Sequence, residues 1–301
     1  MTFSFGKIIL IPLAGPEGAN SSLGNQLFQL AFGLFIKQEL NEDVRFYIRR
    51  DSSRKILKSH IDSKSQIISS LITSEKLIST RLSMELFLRF ALRIHRLSFN
   101  ESSTRPGTAK PLDRLPGQFL AEGYFQNYKF ADVVKDDLIS RLKNSEFFRS
   151  AFGAQKHQIA VHIRFGDYYS NPSNSAIYGI INADYYIKAI KALSEKLGIV
   201  DVCLISDEPK LALSMLDEGL RTIPGITMRL SQGSISEDFC AIARSKASVI
   251  GNSTFAWWAS WIGHNTHSAN VVYPTPWFAD VSLESSGLAY PTWIPMNRTV
   301  S

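Results

Sequence analysis

The stretch SISEDFCAIARSKASVIGNSTFAWWASWIG, residues 234–263, reads as helix, strand and helix in direct succession. Ser234 and Glu237 stand at capping-box spacing, which starts a helix over SEDFCAIARSKA. SVIGN (248–252) is a short apolar run ending in turn residues, and STFAWWASWIG (253–263) resumes a helical pattern with Trp257, Trp258 and Trp261 at core spacing. A strand entered from one helix and left by another cannot pair through a hairpin. It needs parallel neighbours, with helices covering the sheet.

The same alternation continues on both sides. HQIAVHI (157–163), IVDVCLIS (199–206) and ANVVYP (269–274) read as strands. ADYYIKAIKALSEKLG (183–198) reads as a helix that carries Tyr186, Ile190, Leu193 and Leu197 on one face and closes on Gly198. Toward the N-terminus, KIILIPL (7–13), VRFYIR (44–49) and QFLAEGYF (118–125) read as strands, with helices over 25–40 and from Tyr128 to Leu142. The Ser-, Pro- and Gly-rich segment 98–117 is a loop. No internal repeat is visible. The expected organisation is an α/β chain of two domains, 1–150 and 151–301.

Composition fits this. Of 301 residues, 45% are hydrophobic and 20% charged, the balance of a globular protein rather than a disordered one. Cys203 and Cys240 lie in apolar runs away from any metal or redox spacing and are read as buried thiols in a reducing compartment. MTFSFGKIILIPLAG (1–15) is read as leading into a first strand rather than as a signal peptide. No uninterrupted apolar run approaches the ~18 residues that suggest a membrane span. Residues 1–150 hold 22 basic and 15 acidic side chains, against 11 and 12 in 151–301, so the excess positive charge belongs to the first half. In 81–99, Arg81, Arg89, Arg93 and Arg96 interleave with Leu86, Phe90, Ile94 and Leu97. That pattern suits a helix on an anionic surface, or a packed helix with a basic solvent face. Nucleic acid is not expected, for want of an arginine-rich arm, zinc-ligand array or RNA-binding aromatic signature.

Ligands of open parallel sheets bind beyond the C-terminal strand ends, and three polar sets fall there. VHIRFGDYYSN (161–171) ends its strand in His162, Arg164 and Asp167. Asp207 follows the next strand, and Asn252, Ser253 and Thr254 follow SVIG. A guanidinium and a helix N-terminus together suit a diphosphate. Taken singly, each set could be a turn or a cap, and His162 could be a packed strand histidine. No two acidic residues stand two apart, so no Asp-X-Asp pair offers itself to a divalent ion. The glycine-rich dinucleotide, P-loop and nucleophile-elbow motifs are absent too.

LGNQLFQLAFG (23–33), EGYFQ (122–126), VHIRFGDY (161–168), ISDEP (205–209) and SEDFCAIARSKASVIGNSTFAWWASW (236–261) resemble, in order, the motifs of the bacterial α-1,2-fucosyltransferases of glycosyltransferase family 11. The resemblance implies a GT-B architecture: two Rossmann-like domains with parallel sheets facing across a cleft, acceptor on the N-terminal side and GDP-β-L-fucose on the C-terminal side. It implies inverting, metal-independent transfer of fucose to the 2-hydroxyl of a terminal galactose on a glycan of the lipopolysaccharide type, with no cofactor. The enzyme would be cytoplasmic, with peripheral contact to the inner membrane as a further expectation. Arg164 would bind the pyrophosphate, His162 and Asp238 would lie near guanine and ribose, and Ser253 and Thr254 would bind phosphate. Asn252 and Asp207 would stand on the donor side. Asn25, flanked by Gly24 and Gln26, would face fucose or the acceptor hydroxyl. Asp167 is the leading candidate for a general base, Glu122 competes with it, and a mechanism without a protein base stays open. Many members have a second arginine where this chain has Phe165, which touches any role for a second cation. Rival readings are a related GDP-sugar transferase of other linkage and a sugar-nucleotide or glycan-binding module without turnover.

Overall fold

The computed structural model describes residues 8–13, 22–50, 63–72, 76–81, 95–98, 119–166, 171–280, 282–283 and 286–298. The chain divides into two compact units, Met1–Ser145 and Glu146–Ser301.

In the first unit, strands β1 (Ile8–Pro12), β2 (Asp43–Arg50), β3 (Lys76–Arg81), β4 (His95–Ser98) and β5 (Phe119–Glu122) form a parallel sheet in the order β3-β2-β1-β5-β4. Helix α1 (Leu23–Leu40) links β1 to β2; the Ser22 side chain accepts from the Asn25 N–H at its start, and Asn41 in the left-handed region ends it. Its apolar positions run round most of the cylinder, so from Leu23 to Ile36 it is buried on most sides rather than along one stripe, and its last turn is exposed. Helix α2 (Ser63–Leu71) precedes β3. The single helix expected over 128–142 is two, α3 (Tyr128–Val133) and α4 (Lys135–Asn144), separated at Val134. Strand pairing, not a helix, occupies both ends of the 81–99 stretch: Arg81 closes β3, and Arg96 and Leu97 lie in β4 beside β5. Residues 82–94 and 99 of that expectation lie outside the described residues.

The second unit holds a six-stranded parallel sheet, β11-β10-β9-β6-β7-β8. Its strands are β6 (Lys156–Ile163), β7 (Asp201–Ser206), β8 (Thr227–Leu230), β9 (Ser245–Ile250), β10 (Asn270–Thr275) and β11 (Ile294–Asn297). A short 3-10 turn, Arg149–Phe152, leads into it. The connecting helices are α5 (Pro172–Tyr178), α6 (Ala183–Leu197), α7 (Pro209–Leu220), α8 (Ile235–Ala243) and α9 (Thr254–His267). The capping box of Ser234 and Glu237 is formed at α8, and Gly198 takes φ 65° at the end of α6. Alternate residues of β6 serve alternate faces. Ile159, Val161 and Ile163 join a core with Tyr185, Tyr186 and Ile190 of α6 and Leu216 of α7. On the other face α9 packs, tied by a 2.8 Å contact between the hydroxyls of Ser248 and Ser260. Trp257, Trp258 and Trp261 are fully buried, so these aromatics build the core. Because every strand pair is parallel, all C-terminal ends share one edge.

Candidate active site

β6 is central, and its C-terminal end is held from both sides. His162 is in register with Ile205 of β7 and Ile250 of β9, and the Gly251 N–H donates to the His162 carbonyl at 3.1 Å. These pairings bring Arg164, Asp207 and the Asn252–Thr254 turn to one sheet edge, as the strand-end rule requires.

Arg164 is 42% exposed, and its Nη1 lies 3.0 Å from Oδ2 of the 25% exposed Asp207. The other Asp207 oxygen accepts the Phe165 N–H at 2.9 Å. One carboxylate thus fixes both the guanidinium and the backbone that carries it. Gly166 adopts φ 35°, and a Cβ there would stand 2.8 Å from Asp207 Oδ2 and 2.9 Å from Arg164 Nη2, so only glycine lets the turn close over the pair. Phe165 points the other way, into the core shared with Ile163 and α6. A second arginine at this position would meet apolar packing in this chain, not the Arg164 face.

His162 is 6% exposed and lies against Phe255, ring centroids 5.8 Å apart. Among the described residues its Nδ1 has no hydrogen-bond partner. Burial pushes its pKa down to about 4, against the raising influence of Asp207, so the ring is neutral at physiological pH. Asp238, in the first turn of α8, accepts a short hydrogen bond from the Ser231 hydroxyl just beyond β8. Burial raises its pKa, while Ser231 lowers it.

Ser253 is the N-cap of α9, and among the described residues its hydroxyl caps no helical N–H. Thr254 opens the helix, whose first N–H groups have no acceptor within the helix itself. Asn252 is buried and turned inward, its Nδ2 donating to the carbonyls of Tyr178 at 2.8 Å and Trp277 at 3.3 Å.

In the first unit Gly24 and Gln26 are buried in the opening turn of α1, and Gln26 Nε2 donates to the Leu13 carbonyl beyond β1 at 3.2 Å. Asn25 is partly exposed, and its Oδ1 accepts from Gln126 Nε2 at 2.9 Å. Asp167 lies outside the described residues; Glu122 ends β5, and its side chain lies outside them. Among the described residues no group of three His, Cys, Asp or Glu could hold a metal ion.

Sequence reasoning missed Ser231, whose link to Asp238 crosses seven positions and follows no spacing rule. Gln126 was within reach, since it closes the EGYFQ stretch. Phe255 sits inside a run read only as helix core.

Residues 18–295 match glycosyl transferase family 11. The chain belongs to this family. It is 23% identical to the O-antigen biosynthesis glycosyltransferase WbnK of Escherichia coli over 91% of this chain and 98% of that one. It is 24% identical to an alpha-1,2-colitosyltransferase of Escherichia coli over 97% of this chain and all of that one. Among solved structures, POFUT1 in complex with GDP-fucose aligns at a TM-score of 0.44 and 10% identity over 89% of this chain and 98% of that one. The heptosyltransferase WaaC of Escherichia coli with ADP aligns at 0.42 and 10% identity, over 97% and 90%. As a family 11 glycosyltransferase, the chain moves a sugar to an acceptor, and among the described residues no helix is long and apolar enough to cross a membrane.

Proposed function

We propose that this glycosyltransferase moves L-fucose from GDP-β-L-fucose to the 2-hydroxyl of a terminal galactose, inverting the anomeric carbon and using no metal. The observation that carries this is the Arg164–Asp207 clamp at the end of β6, on the same sheet edge as the N-terminus of α9. A diphosphate leaving group needs fixed positive charge and N–H donors, and this edge offers both. The acceptor oxygen forms its bond to C1 as the C1–O bond to the β-phosphate breaks, and GDP departs with the electron pair. Arg164 meets the charge that grows on the phosphate, and Asp207 keeps the guanidinium aimed. Neutral His162, buried beside Phe255, is assigned to the nucleoside side rather than to phosphate. Asp238 joins it on the nucleoside side. The Asn25–Gln126 pair is assigned to the sugar or acceptor hydroxyls, and the hydroxyl proton goes to Asp167, Glu122 or solvent.

The match to WbnK, an O-antigen biosynthesis glycosyltransferase, over nearly the whole chain supports an acceptor of the O-antigen type. The alpha-1,2-colitosyltransferase supports one other reading, 2-linked transfer of a different sugar. Calorimetric titration with GDP, UDP and ADP tests the donor side: selective GDP binding is expected, and equal or absent binding of all three would overturn it.

A further inference from the structure

Arg298 lies just beyond the family-matched residues and directly after β11. It is a 5% exposed arginine, and a guanidinium is costly to bury unless hydrogen bonds compensate its lost hydration. Its backbone N–H extends the pairing with β10 by donating to Thr275 at 3.0 Å, which puts it on the sheet edge that carries Arg164 and Thr254. Its Nη2 donates to the Tyr178 carbonyl at 2.8 Å. Asn252 donates to that same carbonyl, also at 2.8 Å, and to Trp277.

The Tyr178 carbonyl therefore ties three segments together: the end of α5, the turn that starts α9, and the end of β11. Neighbouring bonds tighten the knot. The N–H groups of Ala279 and Asp280 both donate to Ile177 at 2.9 and 3.2 Å, and the Tyr178 ring lies 5.7 Å from that of Phe278. Gly179 takes φ 64°, and a Cβ there would stand 2.7 Å from that of Ala279. Asn252 is covalently next to Ser253 and Thr254, so whatever fixes its amide fixes the turn that presents the helix N-terminus.

We propose that Arg298 is a positioning residue for the donor: by sharing the Tyr178 carbonyl with Asn252 it sets the Asn252–Thr254 turn in the register that receives a nucleoside diphosphate. This rests on the proposed function, since it needs GDP to bind at that turn. Arg298 touches no substrate in this scheme and acts only through Asn252.

The test is GDP affinity by calorimetry for wild type, Arg298→Met and Arg298→Lys, with melting temperatures and separate KM values for donor and acceptor. Arg298→Met should weaken GDP binding about 10-fold, the effect of losing one charge-assisted bond that orients a binding element. It should raise donor KM and leave acceptor KM unchanged, a split that general loosening would not produce. Arg298→Lys should fall between, because an ammonium keeps the charge and one donor. If wild type does not bind GDP, the proposed function fails first. If wild type binds and folded Arg298→Met binds equally well, or donor and acceptor KM rise together, the positioning role is wrong. Should Arg298→Met not fold, the decision passes to Arg298→Lys, and a folded lysine variant with wild-type GDP affinity overturns the role.

Discussion

Replacing Arg164 by lysine keeps a positive charge at the end of β6 and removes the planar fork. A guanidinium has five N–H donors, so it can hold Asp207 with one edge and present another to phosphate. In this protein the Asp207 edge is occupied at 3.0 Å. An ammonium has no second edge in that geometry and must divide a point charge between carboxylate and phosphate. With Arg164 42% exposed the ion pair is screened by water, so little stability should be lost and the effect should appear in turnover. Losing one preorganised donor to a developing oxyanion costs about 2–4 kcal/mol, or roughly 30- to 1000-fold in kcat. Because the contact strengthens as charge builds on the leaving phosphate, kcat should fall further than donor affinity. The assay is GDP release under saturating donor and acceptor, with GDP affinity measured separately and circular dichroism to confirm folding. Arg164→Ala should be at least as damaging. Arg149→Ala, on the exposed 3-10 turn before β6, is the control and should be nearly silent. A folded Arg164→Lys enzyme with most of its turnover would refute the assignment and make Arg164 an ordinary surface charge.

Three further outcomes are expected. Gly166→Ala should drive its Cβ into the Arg164–Asp207 pair and lower kcat by about tenfold or more, as small misplacements of catalytic groups do; wild-type kcat in steady-state kinetics would show that the pair is not needed as drawn. His162 titrates near 4 when folded against 6.5 when unfolded, so the unfolded chain binds the extra proton between those values and stability should fall as pH drops from 6.5 to 4. That is roughly 3 kcal/mol in all. Urea melts of wild type and His162→Leu across that range check it, and an unchanged acid limb in the variant would place the effect elsewhere. Excess EDTA should leave transfer intact, since Arg164 and the N-terminus of α9 are the groups assigned to the charge of the diphosphate; loss of activity restored by magnesium or manganese would reverse the metal-free proposal.

The second sheet was legible because its inner strands are short apolar runs set between helices with clear caps. Gly198, the Ser234–Glu237 box and the turn at Asn252 each mark a boundary that the chain obeys. What escaped was the periphery. β8 (TMRL) and β11 (IPMN) are four-residue edge strands buried on one side at most, so neither carries a long enough alternation to be seen. α7 begins with Pro209 at its first position, a start signal that could have been read. In the first unit, the interleaved arginines and apolar residues around 81–99 satisfy a helical period, yet Arg81 and Arg96 sit in strands. Pairing with β2 and β5 decided these ends, as tertiary partners routinely override local period.

For the site, residue type and strand position located Arg164, Asp207 and the α9 turn, but not what each side chain does there. Asp207 could be placed on the donor side from its strand end. That it grips both Arg164 and the Phe165 N–H needs the register of β6 against β7. Asn252 has the same polarity as a substrate ligand, and only the packing of α5 and the 277–280 loop shows its Nδ2 committed to main-chain carbonyls. Phe165, the departure that bears on any role for a second cation, follows the alternation of β6 into the core, where Ile163 and Val161 already point.

The most direct measurement is a transfer assay with GDP-β-L-fucose and a panel of terminal galactosides, the linkage of the product read by NMR. A fucose joined in α configuration to the 2-hydroxyl of galactose, with one GDP released per product, is the expected result. Product at another hydroxyl, with the β configuration, or only from a different GDP-sugar would contradict the proposed reaction, and GDP-fucose left intact by the folded protein with every galactoside would contradict it outright.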